Sequence, residues 1–236
     1  MDNIFSGGDI VENLKVCEIV KACNGELLTE CNDFEVEYFS KDTRTIMEKD
    51  MYVGIKGANF DGNEFFEDAL RKGACGCIIE KDIDDNIKSK YKDKAIIKVE
   101  NSLKAIQSLA KYKRDLYNIP VVAVTGSVGK TSTKDIIASV LSEKYEVLKT
   151  EGNQNNDIGL PFTILKLKKH TAAVIEMGMN HFGEISLLSS IAKPTIAVIT
   201  NIGTSHIGNL GSRENILKAK LEILEGMKEN RNYYNK

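Results

Sequence analysis

The stretch Thr125-Gly-Ser-Val-Gly-Lys-Thr-Ser132 carries the residue types that polyphosphate chemistry needs. Glycines let backbone N–H groups turn inward around phosphates, and a helix opening at Lys130 adds favourable partial positive charge there. Lys130 would neutralise the β- and γ-phosphates of a nucleotide, and the Thr131 hydroxyl would ligate Mg²⁺. Gly126, Ser127, Gly129 and Ser132 complete the cradle. The general pattern G-x-x-x-x-G-K-[ST] wants a glycine where Val124 stands. The competing reading is a glycine-containing strand-to-helix turn in which Gly-Lys-Thr arises by chance. Strand, turn and helix patterns all agree here, which favours nucleotide binding.

Three further residues stand where ligand chemistry is done. Glu176 ends the apolar run Ala172-Ala-Val-Ile175. The carboxyl ends of neighbouring strands are where open α/β sheets bind ligands, so this carboxylate could hold Mg²⁺. Its plain alternative is a glutamate facing solvent. His206 follows another strand in Thr200-Asn-Ile-Gly-Thr-Ser-His206. There it could serve a metal or a phosphate, or be an ordinary solvated loop histidine.

Lys220 lies in a helical pattern from about 212 to 228 that holds two lysines with opposite surroundings. Lys218 has Glu214 and Glu222 at i−4 and i+4, which makes it an ion-paired surface residue. Lys220 has Ile216, Leu217, Ile223 and Leu224 around it. Such a lysine loses hydration, which favours the neutral amine. A neutral amine reacts with CO₂ to give a carbamate, in effect a long carboxylate able to bind Mg²⁺. The alternative is a snorkelling lysine whose stem packs while its head reaches water.

The elements that must position these groups follow from the apolar pattern. Val121–Val124 reads as a buried strand, with a helix from about Lys130 to Ser142 after it. Tyr145–Lys149, Ala172–Glu176 and Ile196–Thr200 read as three more strands. Apolar strands separated by helices predict a mainly parallel α/β sheet. Upstream, strands are expected at Asp50–Lys56, Ala74–Glu80 and Lys94–Val99, with a helix at Glu64–Lys72. A second helix opens at Asn101-Ser102, with Leu103, Ile106, Leu109 and Ala110 on one face. Lys81–Lys92 reads as a charged surface connection. All three prolines and all three histidines lie beyond residue 119. We therefore expect two domains, 1–118 and 119–236.

Composition limits the alternatives. With 236 residues, 42% hydrophobic and a formal net charge of −2, the chain is too apolar for disorder. No apolar run approaches the roughly 20 residues of a membrane span. The sequence Met1-Asp-Asn-Ile-Phe5 lacks the character of a signal peptide, so a soluble cytoplasmic protein is expected. The first 119 residues carry a net charge of −5 and the remainder +3, and neither part has the basic stripe of a nucleic-acid binder. An anionic ligand must be held by a local site. The five cysteines are odd in number and lack C-x-x-C pairs, which argues against a disulfide framework. Cys75-Gly-Cys77 could chelate a metal, but its apolar setting favours a buried strand.

Taken together the motifs resemble the Mur ligases, the ATP-dependent amide-forming enzymes of peptidoglycan synthesis. The resemblance covers about residues 8–229. It rests on Ser40-Lys-Asp-Thr-Arg44, Gly57-Ala-Asn-Phe-Asp-Gly62, the phosphate loop, Glu151-Gly-Asn-Gln-Asn-Asn-Asp-Ile-Gly-Leu-Pro161, Glu176-Met-Gly-Met-Asn180, and Asn201-Ile-Gly-Thr-Ser-His-Ile207 with Gly211-Ser-Arg-Glu-Asn215. The Gly-Asn-x-Asn-Asn loop looks most like the branch that adds D-Ala-D-Ala to UDP-N-acetylmuramoyl-tripeptide through an acyl phosphate.

The resemblance implies a small α/β UDP-binding domain followed by a P-loop ATPase domain. It implies that Thr43, Arg44, Asn59, Asp61 and Gly62 contribute to a UDP site. Thr131 and Glu176 would hold one Mg²⁺, and His206 with a carbamylated Lys220 a second. Lys130, Glu176, His206 and Lys220 would form the catalytic set, while Asn153, Asn155 and Asn156 would shape the substrate side. Asn63 stands where the family commonly has histidine. The likeness fails after about Glu229, so the rest of the central domain and the C-terminal ligase domain are expected to be missing. A sheet cut there should expose apolar surface and favour self-association. Two other readings stand beside the ligase: a fragment that only binds UDP-substrate or phosphates, and an unrelated P-loop ATPase with an accessory domain.

Overall fold

The computed structural model describes residues 12–57 and 59–227, which fall into two compact units dividing between Tyr112 and Lys113. The first unit opens with β1 (Leu14–Lys15), α1 (Val16–Cys23), β2 (Glu26–Leu27), β3 (Glu35–Val36), β4 (Tyr38–Ser40) and β5 (Asp50–Val53). A 3-10 turn at Gly62–Phe65 leads into α2 (Phe66–Arg71), followed by β6 (Gly76–Ile79), α3 (Asp85–Lys90), β7 (Ala95–Lys98) and α4 (Ser102–Asp115), whose last residues from Lys113 belong to the second unit. Its sheet runs β2-β7-β6-β5-β4, parallel except for the antiparallel β2, while β1 and β3 pair separately.

The central strands are apolar because both faces are covered. Met51, Val53, Cys77, Ile78, Ile79, Ile96 and Ile97 are all buried. The expected strands 50–56, 74–80 and 94–99 are present but shorter at their ends. Helix α4 begins where its spacing predicts: the Asn101 side chain accepts the Lys104 N–H at 2.8 Å. Ile106, Leu109 and Ala110 are fully buried, and Leu103 is half-buried. The stretch 81–92, expected as a bare connection, contains α3. That helix buries no residue, so it has no apolar periodicity to read; its one signal is Asp84, whose carboxylate accepts the Ile87 N–H at 2.9 Å.

In the second unit β8 (Val121–Thr125), α5 (Lys130–Leu141), β9 (Val147–Lys149), α6 (Gly159–Leu165), β10 (Ala172–Glu176), α7 (Glu184–Ala192) and β11 (Ile196–Ile199) alternate. Then come α8 (Ile207–Leu210), α9 (Arg213–Leu221) and a 3-10 turn at Glu222–Leu224. All four strands are parallel in the order β11-β8-β10-β9, the mainly parallel α/β sheet the sequence predicts. Register aligns their carboxyl ends, with Glu176 opposite Val124 and Ile199 opposite Thr125. The loops after β8, β10 and β11 therefore leave from one end of the sheet.

Two features of this unit bear on stability. Buried Arg114 donates to the carbonyls of Tyr117 (2.6 Å), Ala192 (2.7 Å) and Lys193 (3.2 Å), closing the end of α7; burial draws its pKa down to about 10. The edge strand β11 contains no charged residue and leaves Ile196 52% exposed, so apolar surface does lie open there.

Candidate active site

The phosphate loop is built around two glycines in positive φ, Gly126 at 150° and Gly129 at 80°. A Cβ at Gly126 would overlap the Thr200 hydroxyl, so a side chain is excluded on steric as well as conformational grounds. Val124, where the general pattern wants glycine, is a buried residue of β8, and the turn itself starts only at Gly126. Lys130 Nζ donates to the Gly126 carbonyl at 2.9 Å, holding the ammonium across the loop. Thr131 and Ser132 are exposed on the first turn of α5, at its positive dipole end.

The segment after β11 braces this loop. Asn201 Oδ1 accepts the N–H groups of Ser127 (3.2 Å) and Val128 (3.1 Å), and Thr200 Oγ1 donates to the Val128 carbonyl at 2.6 Å. The Gly203 N–H donates to Ser127 Oγ at 2.9 Å. Sequence reasoning missed Asn201. A polar residue two positions past the end of an apolar strand was the available signal.

Glu176 is 2% exposed, which removes the solvent-facing alternative. Its Oε1 accepts from Asn155 Nδ2 at 2.8 Å, and its Oε2 is buried without a hydrogen-bond partner among the described residues. A buried carboxylate oxygen lacking a donor is costly. Bound Mg²⁺, an oxygen-seeking cation, fits such an atom. The Glu176 N–H donates to the Thr150 hydroxyl at 2.9 Å, so its main chain is fixed as well.

Lys220 is also 2% exposed, and it is among the largest fully buried side chains. Its head does not snorkel to bulk water. Burial, with Lys130 as a second cause through charge repulsion, draws its pKa from 10.5 down to about 8. Lys218, by contrast, is exposed, as its acidic neighbours predict. His206 is exposed at the start of α8 with φ 65°, a left-handed backbone uncommon outside glycine. Its ring has no hydrogen bond among the described residues, and the structure does not join it to Glu176 or Lys220 by any bond.

The three asparagines have different settings. Asn153 is exposed, Asn155 is bound to Glu176, and Asn156 Oδ1 accepts the Gly159 N–H at 2.8 Å at the start of α6. Among the described residues no group of three or more His, Cys, Asp or Glu forms a metal cluster. The expected ligand set mixes one glutamate and one histidine with threonine and lysine.

In the first unit Arg44 is 84% exposed at its side chain and makes a forked contact with Asp42, at 2.9 Å through Nε and 2.7 Å through the terminal nitrogen. That guanidinium draws the Asp42 pKa down to about 2. Thr43 is half-buried beside it, and Asn59 is exposed. Asp61 caps the 3-10 turn by accepting from Asn63 N–H (2.9 Å) and Nδ2 (2.7 Å). Gly62 packs against the Ile55 backbone, where a Cβ would not fit, and its carbonyl accepts from Tyr52 Oη at 2.9 Å. Asn63 is buried, and its Oδ1 accepts the Glu80 N–H at 2.8 Å. It is a structural pin between a loop and β6. All five cysteines are free thiols. Cys77 is buried within β6, and burial pushes Cys75 up to about 12, which disfavours the thiolate a metal would need.

Comparison with known proteins gives this geometry a family. Residues 36–114 match the Mur ligase family catalytic domain, and residues 124–235 match the Mur ligase middle domain. The UDP-N-acetylmuramoyl-tripeptide–D-alanyl-D-alanine ligase of Bacillus subtilis (strain 168) is 46% identical over 189 residues, 80% of this chain and 40% of the relative. The enzyme of that name from Escherichia coli (strain K12) is 34% identical over 92% of this chain and 46% of its own length. The crystal structure of MurF from Acinetobacter baumannii superposes with a TM-score of 0.84 at 34% identity, covering 92% of this chain and 47% of that one. The ADP complex of MurF ligase from Thermotoga maritima gives 0.73 at 38% identity, over 82% and 44% of the two chains. The chain thus spans under half the length of these relatives. On both matched regions and these identities, the chain belongs to the Mur ligase family.

Proposed function

We propose that this chain supplies the UDP-substrate and ATP-phosphate sites of a ligase joining D-Ala-D-Ala to UDP-N-acetylmuramoyl-tripeptide. The substrate pair named for the relatives at 34–46% identity supports this assignment. The observation that carries the chemistry is Glu176, with a buried, unpartnered oxygen one strand away from a phosphate loop at the same level of the sheet. Residues 1–118 form the UDP-substrate domain in this reading, and residues 119–236 belong to the ATP-binding domain.

In the reaction, the terminal carboxylate of the tripeptide attacks the γ-phosphorus of ATP, forming an acyl phosphate and releasing ADP. The amine of D-Ala-D-Ala then attacks the acyl carbon, the amide bond forms, and phosphate leaves. Lys130 and the amides from Gly126 to Ser132 hold the phosphates and offset charge that builds on the transferring group. Thr131 and Glu176 would hold one Mg²⁺, and His206 with the Lys220 carbamate a second. Bound Mg²⁺ supplies Lewis-acid stabilisation of the phosphoryl oxygens. The left-handed backbone at His206 supports a functional role, since such strain concentrates at working sites.

Carbamylation is supported by the burial of Lys220 and by its pKa, lowered to about 8, above which the amine is mainly neutral and reactive. Thr43, Arg44, Asn59, Asp61 and Gly62 would receive the UDP end, and Asn153, Asn155 and Asn156 would border the peptide end. The proposed compartment is the cytoplasm, where ATP is supplied; five free thiols suit a reducing milieu, and no described helix is long and apolar enough to cross a membrane.

Phosphate release from ATP that requires both UDP-N-acetylmuramoyl-tripeptide and D-Ala-D-Ala tests the reading on this polypeptide. Release dependent on all three substrates is the expected result for a complete active site. UDP-substrate and nucleotide binding without release would assign the chain to binding alone. Failure to bind UDP-substrate would overturn the ligase assignment.

A further inference from the structure

Lys134 lies one turn beyond Thr131 on α5 and is 3% exposed, with no part in the chemistry above. Its Nζ donates to the Thr150 carbonyl at 2.9 Å and lies 3.4 Å from Asp135 Oδ1. Asp135 is shared, since Lys149 Nζ also reaches it at 2.8 Å. A buried ammonium with one good hydrogen bond and a divided ion pair is a poor way to gain stability.

The backbone pattern at Thr150 gives the lysine a purpose. In a parallel ladder the Thr150 N–H bonds to the Val174 carbonyl, and the Thr150 carbonyl should then receive the Glu176 N–H. The first bond is present at 3.1 Å. The second is replaced: the Glu176 N–H donates to the Thr150 hydroxyl, and the carbonyl turns to Lys134. The ladder therefore ends at Thr150 with every group satisfied, and the chain departs into the loop that carries Asn155. Asn155 returns to bond Glu176 Oε1 at 2.8 Å.

We propose that Lys134 is a positioning residue: by holding the Thr150 carbonyl out of the ladder, it sets through the Thr150 hydroxyl and Asn155 where the Glu176 carboxylate stands relative to Thr131. This rests on the reading that Thr131 and Glu176 share a Mg²⁺. Through Thr150, which follows β9, Lys134 thus links the helix that presents one ligand to the strand that presents the other.

The test is calorimetric titration of ADP, with Mg²⁺ and separately with EDTA, on the wild-type chain, Lys134→Met, Lys134→Arg and Thr150→Val. For Lys134→Met and Thr150→Val, the Mg²⁺-dependent gain in ADP affinity should fall about tenfold, with affinity in EDTA unchanged. Lys134→Arg, which keeps a donor for the carbonyl, should recover most of the gain. If Lys134→Met does not fold, the contrast between Lys134→Arg and Thr150→Val decides the matter. A folded Lys134→Met or Thr150→Val with the full Mg²⁺ gain would overturn the proposal alone. So would an equal loss with Mg²⁺ and with EDTA, which marks a merely structural lysine. A wild-type chain with no Mg²⁺ gain would overturn the shared-metal reading and this proposal with it.

Discussion

The two units handle their polar candidates in opposite ways. In the first, the groups assigned to UDP are exposed or already paired: Arg44 with Asp42, and Asp61 with Asn63. In the second, the site keeps charges out of water without full compensation, in Glu176 Oε2 and in Lys220. Groups that are solvated or self-paired cost the folded state little and wait for a ligand. Buried, under-compensated groups destabilise the fold until a ligand or a modification completes them. On the proposed reading, the first unit is a receptor surface and the second a primed centre.

Substitution at Glu176 should test this contrast hardest. Glu176→Gln removes the buried charge while keeping shape and the Asn155 contact, so Tm should rise while, on the proposed ligase reading, Mg²⁺-supported phosphoryl transfer falls by roughly 10²-fold or more. A melting scan beside an ATP turnover assay reads both, and a fall in Tm would show that the buried charge is compensated after all.

Next in size is the response of Lys220 to pH. Its folded pKa lies below its unfolded value, so the unfolded state binds more protons between about 8 and 10.5. Stability from this residue is therefore present above that window and is lost as pH falls toward 8. The amine is neutral above about 8, so a bicarbonate-dependent carbamate signal in ¹³C NMR should grow as pH rises through 8 and vanish in Lys220→Arg. A signal independent of pH would break the link between burial and reactivity.

Smaller effects come from the first unit. Asn63→Ala leaves the part-buried Glu80 N–H without its acceptor, and should cost about 1 kcal/mol in denaturant unfolding. An unchanged midpoint would mean that Asn63 is not the pin the hydrogen bonds describe. Arg44→Ala should weaken UDP-substrate binding about tenfold, or about 1.4 kcal/mol, yet leave Tm nearly unmoved because the side chain is exposed. A large drop in Tm there would erase the distinction between the units.

What could be read from the sequence follows the same division. The four strands and the phosphate loop of the second unit were legible because each strand is a short, mostly apolar run, fully buried in β8 and β10, and a Gly-Lys-Thr helix start is locally encoded. The odd setting of Lys220 was legible because its neighbours at i±3 and i±4 are mainly apolar. Asn201, Thr150 and Lys134 were not, because each acts through a contact between elements distant in sequence, and polar residues at such places look like any loop or helix surface. Helix α3 was missed because it buries nothing. Asn63 stood out only as a departure from the family's histidine, and its burial and its bond to Glu80 reveal it as a brace.

One consequence concerns how descendants of such a chain would diverge. Gly126 is held by crowding against Thr200 in addition to any phosphate it faces. A lineage that lost catalysis would still be constrained to keep that glycine, while Thr131 and Ser132, both exposed, could drift at once. The retention of Gly126 alone therefore records the fit between two neighbouring loops, and says little about whether nucleotide is still turned over.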